Sequence, residues 1–305
     1  MSFAARILAD SISPHGHRLT TLEVTFPRIV LAEFNTHRVF SRNSASSRAI
    51  PVAKQIARVL DDPYVPEAFG ANQPGMQAAA PLTGEKHAVA RQEWLRARDR
   101  AVAHALRLIS HPELCSPEAD APALRAALAE MLARPVDERW LNVHKQLANR
   151  LLEPFMWHTL IVSATEWDNF FHLRAHPDAQ PEIRRVAELM RAAVAASAPE
   201  EVAEGDWHLP LIFAGDADLA LADRVRVSVG RCARVSYLTH DGRRDPSADL
   251  ALCERLLASG HLSPFEHVAR PEPGGEWCGN FRGWHQFRKD LLGESDPLAA
   301  AAHAA

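Results

Sequence analysis

Residues 5–12 (ARILADSI) and 18–26 (RLTTLEVTF) alternate in polarity and are rich in β-branched side chains, with Pro14 and Gly16 between them. Such a pattern predicts two strands joined by a turn. It commits the start of the chain to a sheet that later elements must cover. Pro27 opens RIVLAEFNTHRVF, whose apolar positions repeat at three to four residues and predict a helix. A polar segment, SRNSASSRAIP, follows. Residues 61–82 carry four prolines and little periodicity, so they predict a long loop, a kind that usually has a function.

The cover is helical. Thr83 can cap a helix running to about Ser110, with Leu95, Val102, Leu106 and Ile109 on one face. Ala121–Ala133 and Leu141–Leu152 read as further helices, the latter stopped near Pro154. The 155–175 segment and Pro181–Ala195 read as helices too, the second with a stripe of Ile183, Val186, Ala187, Met190 and Val194. Residues 196–230, acidic and loop-like in their first part, form a connector. RVRVSVGRCARVSYL (224–238) alternates like a strand, and Ser247 caps a helix, DLALCERLLAS, that Gly260 ends. The terminal alanines read as frayed.

With 47% hydrophobic and 24% charged residues, the 305-residue chain can bury a full-sized core. A formal net charge of −4 provides no global field for nucleic acid or anionic membrane, so any anion has to be held by a local cluster. No apolar run approaches the length of a spanning helix. The four cysteines are scattered without a CxxC pair, and the sixteen histidines show no convincing metal-ligand spacing. These features predict a reduced, cytoplasmic protein without a metal site, and His15 and His17 belong to a turn.

Three segments carry chemistry. His37-Arg38-Val39-Phe40-Ser41-Arg42-Asn43-Ser44-Ala45-Ser46-Ser47-Arg48 holds three arginines and four serines with no acid to neutralise them. Guanidinium groups bind phosphate in bidentate fashion, and hydroxyls and backbone N–H groups fill the remaining acceptor positions. A solvated polar loop has the same composition. Asn169-Phe170-Phe171-His172-Leu173-Arg174 sets two polar groups in apolar surroundings; Arg174 needs an anionic ligand or an ion pair with Asp178 or Glu182. Ser259-Gly260-His261-Leu262-Ser263-Pro264-Phe265-Glu266-His267 is a helix end followed by a proline-fixed turn.

Taken together, the segments resemble the flavin-dependent thymidylate synthases. HR-x2-S-x-N-x2-S-x-R resembles that family's RHR signature. Ala233-Arg234-Val235-Ser236 followed by SGHLSPFEH is similar to its ARVS…PFEH flavin segment, and NFFHLRAHPDAQPEI to its NF-x2-LR helix. Arg150-Leu151-Leu152-Glu153-Pro154 resembles the R-x3-P upstream of that helix. The order is rotated: ARVS…PFEH comes last here, and the strand expected after PFEH resembles Thr20–Phe26. The resemblance implies a circular permutation, with 196–230 joining what are termini in the family.

The resemblance further implies an α+β fold, with helices on a small, mostly antiparallel sheet. It implies one domain over 1–305, with 271–305 as a C-terminal extension. The implied activity converts dUMP to dTMP with FAD, methylenetetrahydrofolate and NADPH, in a homotetramer whose sites are shared across interfaces. Ser44, Ser46, Ser47, Arg48 and Arg150 would hold the nucleotide. Arg174 would hydrogen-bond the pyrimidine and stabilise its enolate. His37, Arg38, Asn169, Ser236, Ser263 and Glu266 would line the flavin. Ser46 has no adjacent base and is a positioning group rather than a nucleophile.

Five positions depart from the family pattern: Thr36 for the first arginine of RHR, Ser44 for a glutamate, Glu33 for a glutamine, and Ser163 and Thr165 for an asparagine and an arginine beside the flavin. The basic, aromatic stretch Gly279–Lys289 could supply the lost charge or form an amphipathic closing helix. Hydroxymethylation or methylation of another pyrimidine nucleotide would need only local changes. A nucleotide- or nucleic-acid-binding protein without flavin is the reading from another class.

Overall fold

The computed structural model describes residues 1–235 and 245–291. Strands β1 (Ala4–Ile12) and β2 (Arg18–Pro27) form the expected antiparallel pair around Gly16, which takes φ +81°. After a 3-10 turn, α1 (Leu31–Asn35) is shorter than its periodicity suggested, and β3 (Ser41–Ser44) follows. The next helices are α2 (Val52–Asp61), α3 (Gly84–Ile109), α4 (Ala121–Ala133) and the single turn α5 (Lys145–Ala148). Then come β4 (Trp157–Ala164), α6 (Asp168–Arg174), α7 (Pro181–Ala196), the short β5 (Glu200–Glu201), α8 (Leu221–Arg234) and α9 (Pro246–Ala258). A 3-10 turn, Ser263–His267, leads into β6 (Ala269–Pro271), β7 (Trp277–Cys278), β8 (Phe281–Arg282) and β9 (Trp284–Gln286).

The main sheet runs β3-β4-β2-β1-β5, antiparallel except for the β1–β5 pair. Alternation along β2 and β4 divides its two faces. Leu22, Val24, Phe26, Leu160 and Val162 pack with the α7 stripe of Ile183, Val186, Ala187 and Met190, together with Phe34, Phe40 and Phe170. On the opposite face Ile161 packs with Leu211, Cys232 and Val235, the last two from α8 and its end. A separate apolar cluster joins α2, α3, α4 and the 149–156 segment through Ile56, Val102, Leu106, Leu124 and Leu152. Among the described residues, no helix is long and apolar enough to cross a membrane.

Several local expectations change. Residues 157–164 form a central strand, because a run buried on both faces loses the alternation that marks an exposed strand. The 141–152 helix shrinks to one α-turn and a 3-10 segment, with Asn142 at φ +47° and Pro154 inside it. Asp245, not Ser247, caps α9 by accepting from Ala248 N. The 224–238 stretch is helical as far as Arg234 and runs through the connector. Its alternating valines sit on a helix enclosed almost all round, so polarity alternation does not report exposure there. The α8 helix meets α9 at Gly230, where a Cβ would come 2.4 Å from the Asp249 carbonyl oxygen. The terminal alanines lie outside the described residues.

An ion network locks that contact. Buried Arg231 donates to both Asp216 oxygens (2.6 and 2.8 Å), to Asp249 (2.9 Å) and to the Leu211 carbonyl (2.7 Å). Arg234 also donates to Asp249. Arg231→Met should lower unfolding free energy by about 3–5 kcal/mol, because it strands buried carboxylates without their partner. Urea denaturation measures this directly, and a loss below about 1 kcal/mol would mean that Asp216 finds solvent.

Candidate active site

The middle of the acid-free segment is an edge strand, with turns on either side. Ser41–Ser44 pairs with β4, Ser41 opposite Ser163 and Asn43 opposite Ile161. Beyond it, Ala45 N donates to the Thr159 carbonyl and Ala49 N to the Ser46 carbonyl, folding the chain into a turn. The strand and turn send side chains two ways. Asn43, Ser46 and Arg48 face a cleft of about 620 Å³, shared with α5, α8, α9 and the 259–264 turn. Ser47 points inward and is buried, donating to Glu153 (3.1 Å). Ser44 pairs with Leu160 at the end of the strand and does not line the cleft.

This cleft joins distant parts of the sequence. Ser263 Oγ donates to Asn43 Oδ1 (3.3 Å), and Asn43 Nδ2 donates to the Cys232 carbonyl (2.8 Å). Arg48, Lys145 and Arg255 line it with His144 and His261, and among the described residues no carboxylate lines it. Arg48 and Arg255 have no ion-pair partner among the described residues, and Lys145 Nζ donates only to the Ala49 carbonyl (3.4 Å). Three cations around one concavity with no described acid give it a positive local field that favours an anion. Lys145 and Arg255 gave no signal in the sequence, since each reads as an ordinary solvated helix residue.

Arg150 lies elsewhere. It pairs with Glu153 (2.7 Å), which also accepts from Arg28 (3.0 Å), at a separate cleft that includes Asn35 and Pro154. Arg150 and Arg48 thus line different clefts.

A second cleft, lined by His37, Phe40, Glu166, Asp168, Asn169, Phe170, Trp277 and Arg282, lies beside Arg174. Arg174 Nε donates to His37 Nε2 (3.0 Å), and its Nη2 to Thr36 Oγ1 (3.2 Å). Burial, then the nearby Arg174 and Arg42 charges, lower the His37 pKa to about 4, so the ring is neutral and accepts through Nε2. Neither anticipated ion pair forms. Asp178 lies beside His176 (3.7 Å), and Glu182 accepts from the Tyr64 hydroxyl (2.6 Å) and from Gln180 (2.9 Å). Arg174 has no carboxylate partner among the described residues. Arg38 is exposed, Glu266 pairs with Arg288, and Ser236 lies outside the described residues.

The C-terminal stretch is a set of short strands rather than a closing helix, because Gly279 and Gly283 take positive φ and Gly283 lies against the His17 ring. Trp284 is fully buried and donates to the His17 carbonyl (3.0 Å). The backbone N–H of Arg282 donates to Thr165 Oγ1 (3.0 Å), while its guanidinium lies 4.0 Å from Glu166 and donates to the Gly275 carbonyl (3.4 Å). Ser163 is closed off in a buried hydrogen-bonded string, Ser11–His208–Thr21–Ser163–His267, with links of 2.6–2.8 Å. The 263–267 turn thus ends beside Thr21, and Ala269 packs on Leu19 at the start of β2.

The model of the thymidylate synthase complementing protein family, Thy1, matches residues 6–200, or 195 of the 305 residues. The chain belongs to this family. As a Thy1 protein it is a thymidylate synthase-like methyltransferase. The Thy1 match stops before the 233–267 segment. Among solved structures, the UMP/dUMP methylase PolB from Streptomyces cacaoi bound with 5-Br UMP matches with a TM-score of 0.41 and 16% identity, covering 64% of this chain and 89% of that one. No curated protein matches the sequence.

Proposed function

We propose that the chain methylates a pyrimidine nucleotide at C5, converting dUMP to dTMP with methylenetetrahydrofolate as one-carbon donor and NADPH as reductant. The observation that carries this reading is the acid-free cleft in which Ser46 and Arg48 meet Ser263 of the PFEH segment. Arg48 binds the nucleotide phosphate, with Lys145 and Arg255 as further cations. Arg174 hydrogen-bonds a pyrimidine carbonyl and stabilises the charge that develops there as C5 becomes nucleophilic. Thr36 and neutral His37 fix its guanidinium, which explains why an uncharged residue suits position 36.

The cleft of His37 and Asn169 suits a flavin in character. Phe40, Phe170 and Trp277 offer aromatic surface for a planar ring, while Arg282, 4.0 Å from Glu166, and Asp168 make its polar side mixed in charge. When bound, the flavin supplies the reducing equivalents that turn a transferred methylene into a methyl group. Ser263 and Arg48 line one cleft while His37 and Asn169 line the other, which supports sites completed by a second copy, as in a tetramer. The 263–267 turn ending beside Thr21 supports a permuted chain.

Turnover of dUMP with methylenetetrahydrofolate and NADPH, with the product weighed by mass spectrometry, tests the reaction. Gain of a methyl group is expected; gain of a hydroxymethyl group would reassign the product, and a colourless, inactive protein would remove the flavin reading. Arg48→Ala should weaken dUMP binding by about 1.5–3 kcal/mol, the worth of a charged hydrogen bond. Calorimetric titration measures it, and unchanged affinity would move the phosphate elsewhere.

A further inference from the structure

The short C-terminal strands hold a cluster that methyl transfer does not use. Cys278 Sγ on β7 lies 3.4 Å from His285 Nδ1 on β9, and His285 Nε2 lies 2.8 Å from Asp290 Oδ1. Arg270 grips both oxygens of Asp290 through its two terminal nitrogens. Asp290 only accepts, so Nε2 carries a proton; in the neutral ring Nδ1 accepts from the thiol, and once protonated Nδ1 can pair with the Glu272 carboxylate on its other side. The backbone N–H of Gln286 also points at the sulfur. Glu272 Oε2 sits 3.4 Å from the same Nδ1, and Lys289 is close enough to act on the thiol through its charge. Cys278 is partly exposed, and the side chains of His285 and Asp290 are 23% and 30% exposed, so solutes reach the cluster.

We propose that Cys278, His285 and Asp290 form a nucleophilic thiol site, distinct from both clefts, that takes a neutral carbon electrophile. Nucleophile, base and orienting carboxylate stand in hydrogen-bonded sequence, which is the arrangement that activates a weak nucleophile. In the step, Sγ bonds to carbon, the S–H proton passes to His285 Nδ1, and the leaving group departs with the bonding electron pair. The imidazolium then returns its proton to solvent. Asp290 holds the tautomer throughout and stays ionised, stabilised by Arg270. Burial, reinforced by Glu272 and Asp290, pushes the Cys278 thiol up, so the resting sulfur keeps its proton and reacts only with His285 as base. Trp277, the neighbour of Cys278, lines the His37 cleft, so this site and the proposed flavin cleft occupy opposite sides of one strand.

Iodoacetamide labelling of the full chain at neutral pH, read cysteine by cysteine from peptide masses, tests the site. Cys115, a partly buried thiol that donates to the Ala103 carbonyl, is the internal reference. Cys278 should label about tenfold faster than Cys115, and His285→Asn should slow Cys278 by about 10²-fold, the low end of general-base catalysis. Asp290→Asn should give an intermediate rate. The wild-type labelling rate should not follow thiol ionisation alone as pH is varied, whereas that of His285→Asn should. If either variant fails to fold, judged by tryptophan emission and melting temperature, the wild-type profile and the Cys115 comparison still decide. Labelling no faster than Cys115, or a profile following thiol ionisation alone, overturns the proposal.

Discussion

Arg174→Lys should reduce turnover by about 10²–10³, the scale of one lost oxyanion donor, with little change in melting temperature or flavin content. The native guanidinium spreads its donors: Nε to His37 and Nη2 to Thr36, leaving Nη1 for the substrate. Lysine keeps the charge but has one nitrogen, which cannot hold both anchors and also meet a pyrimidine carbonyl in a fixed plane. Both anchoring partners are neutral and Arg174 is only half-buried, so the fold loses little. Steady-state kinetics on the purified variant, beside its visible spectrum and melting curve, separates the outcomes. A variant that loses flavin or unfolds while the remaining protein turns over normally would make Arg174 structural and return catalysis to the 37–48 segment.

Acid should unfold this protein steeply. His158, His208 and His267 are buried, and burial as the first cause lowers each pKa to about 3. In an unfolded chain a histidine titrates at about 6.5. The folded values lie below the unfolded value, so above about pH 6.5 neither state binds these protons and the stability contribution is complete. As pH falls from there toward about 3, the unfolded chain takes up protons that the native state excludes, and stability is lost. Each histidine contributes up to about 1.4 kcal/mol per pH unit, and the three together on the order of 4 kcal/mol per unit. Urea denaturation should show the slope steepening from about pH 7 and approaching that value near pH 5, where close to three protons are taken up on unfolding. His267→Gln should remove about a third of the slope, since a glutamine can still reach Ser163 yet cannot titrate. An unchanged slope would mean that His267 is already protonated in the native state.

The elements legible in the sequence were those with one wet face. The β1–β2 pair, α3, α4 and α7 stand close to their expected limits, because water on one side imposes the alternation or the stripe. The failures lie where no face is wet, in β4 at the centre of the sheet and in α8 between the sheet and α9. The edge strand β3 was hidden for the opposite reason: its serines and asparagine satisfy their hydrogen bonds through the ends of other segments, as Ser41 does with Gln286 and Asn43 with Cys232.

The sequence by itself determined which residue types were present for the chemistry, and in which segments. The arginine and serine cluster, the LR helix and the PFEH turn carry the family resemblance without any coordinates, since side-chain chemistry and local spacing are properties of the chain. Only the tertiary structure decided which charges act together. Arg48 and Arg150 look alike in sequence, yet one lines an acid-free cleft with Lys145 and Arg255 while the other is neutralised by Glu153. Thr36 reads as a lost charge until the fold places it against Arg174. The physical reason is that Coulomb and hydrogen-bond energies depend on distance through space, falling away within a few ångströms, and the separation of two residues along the chain does not fix that distance.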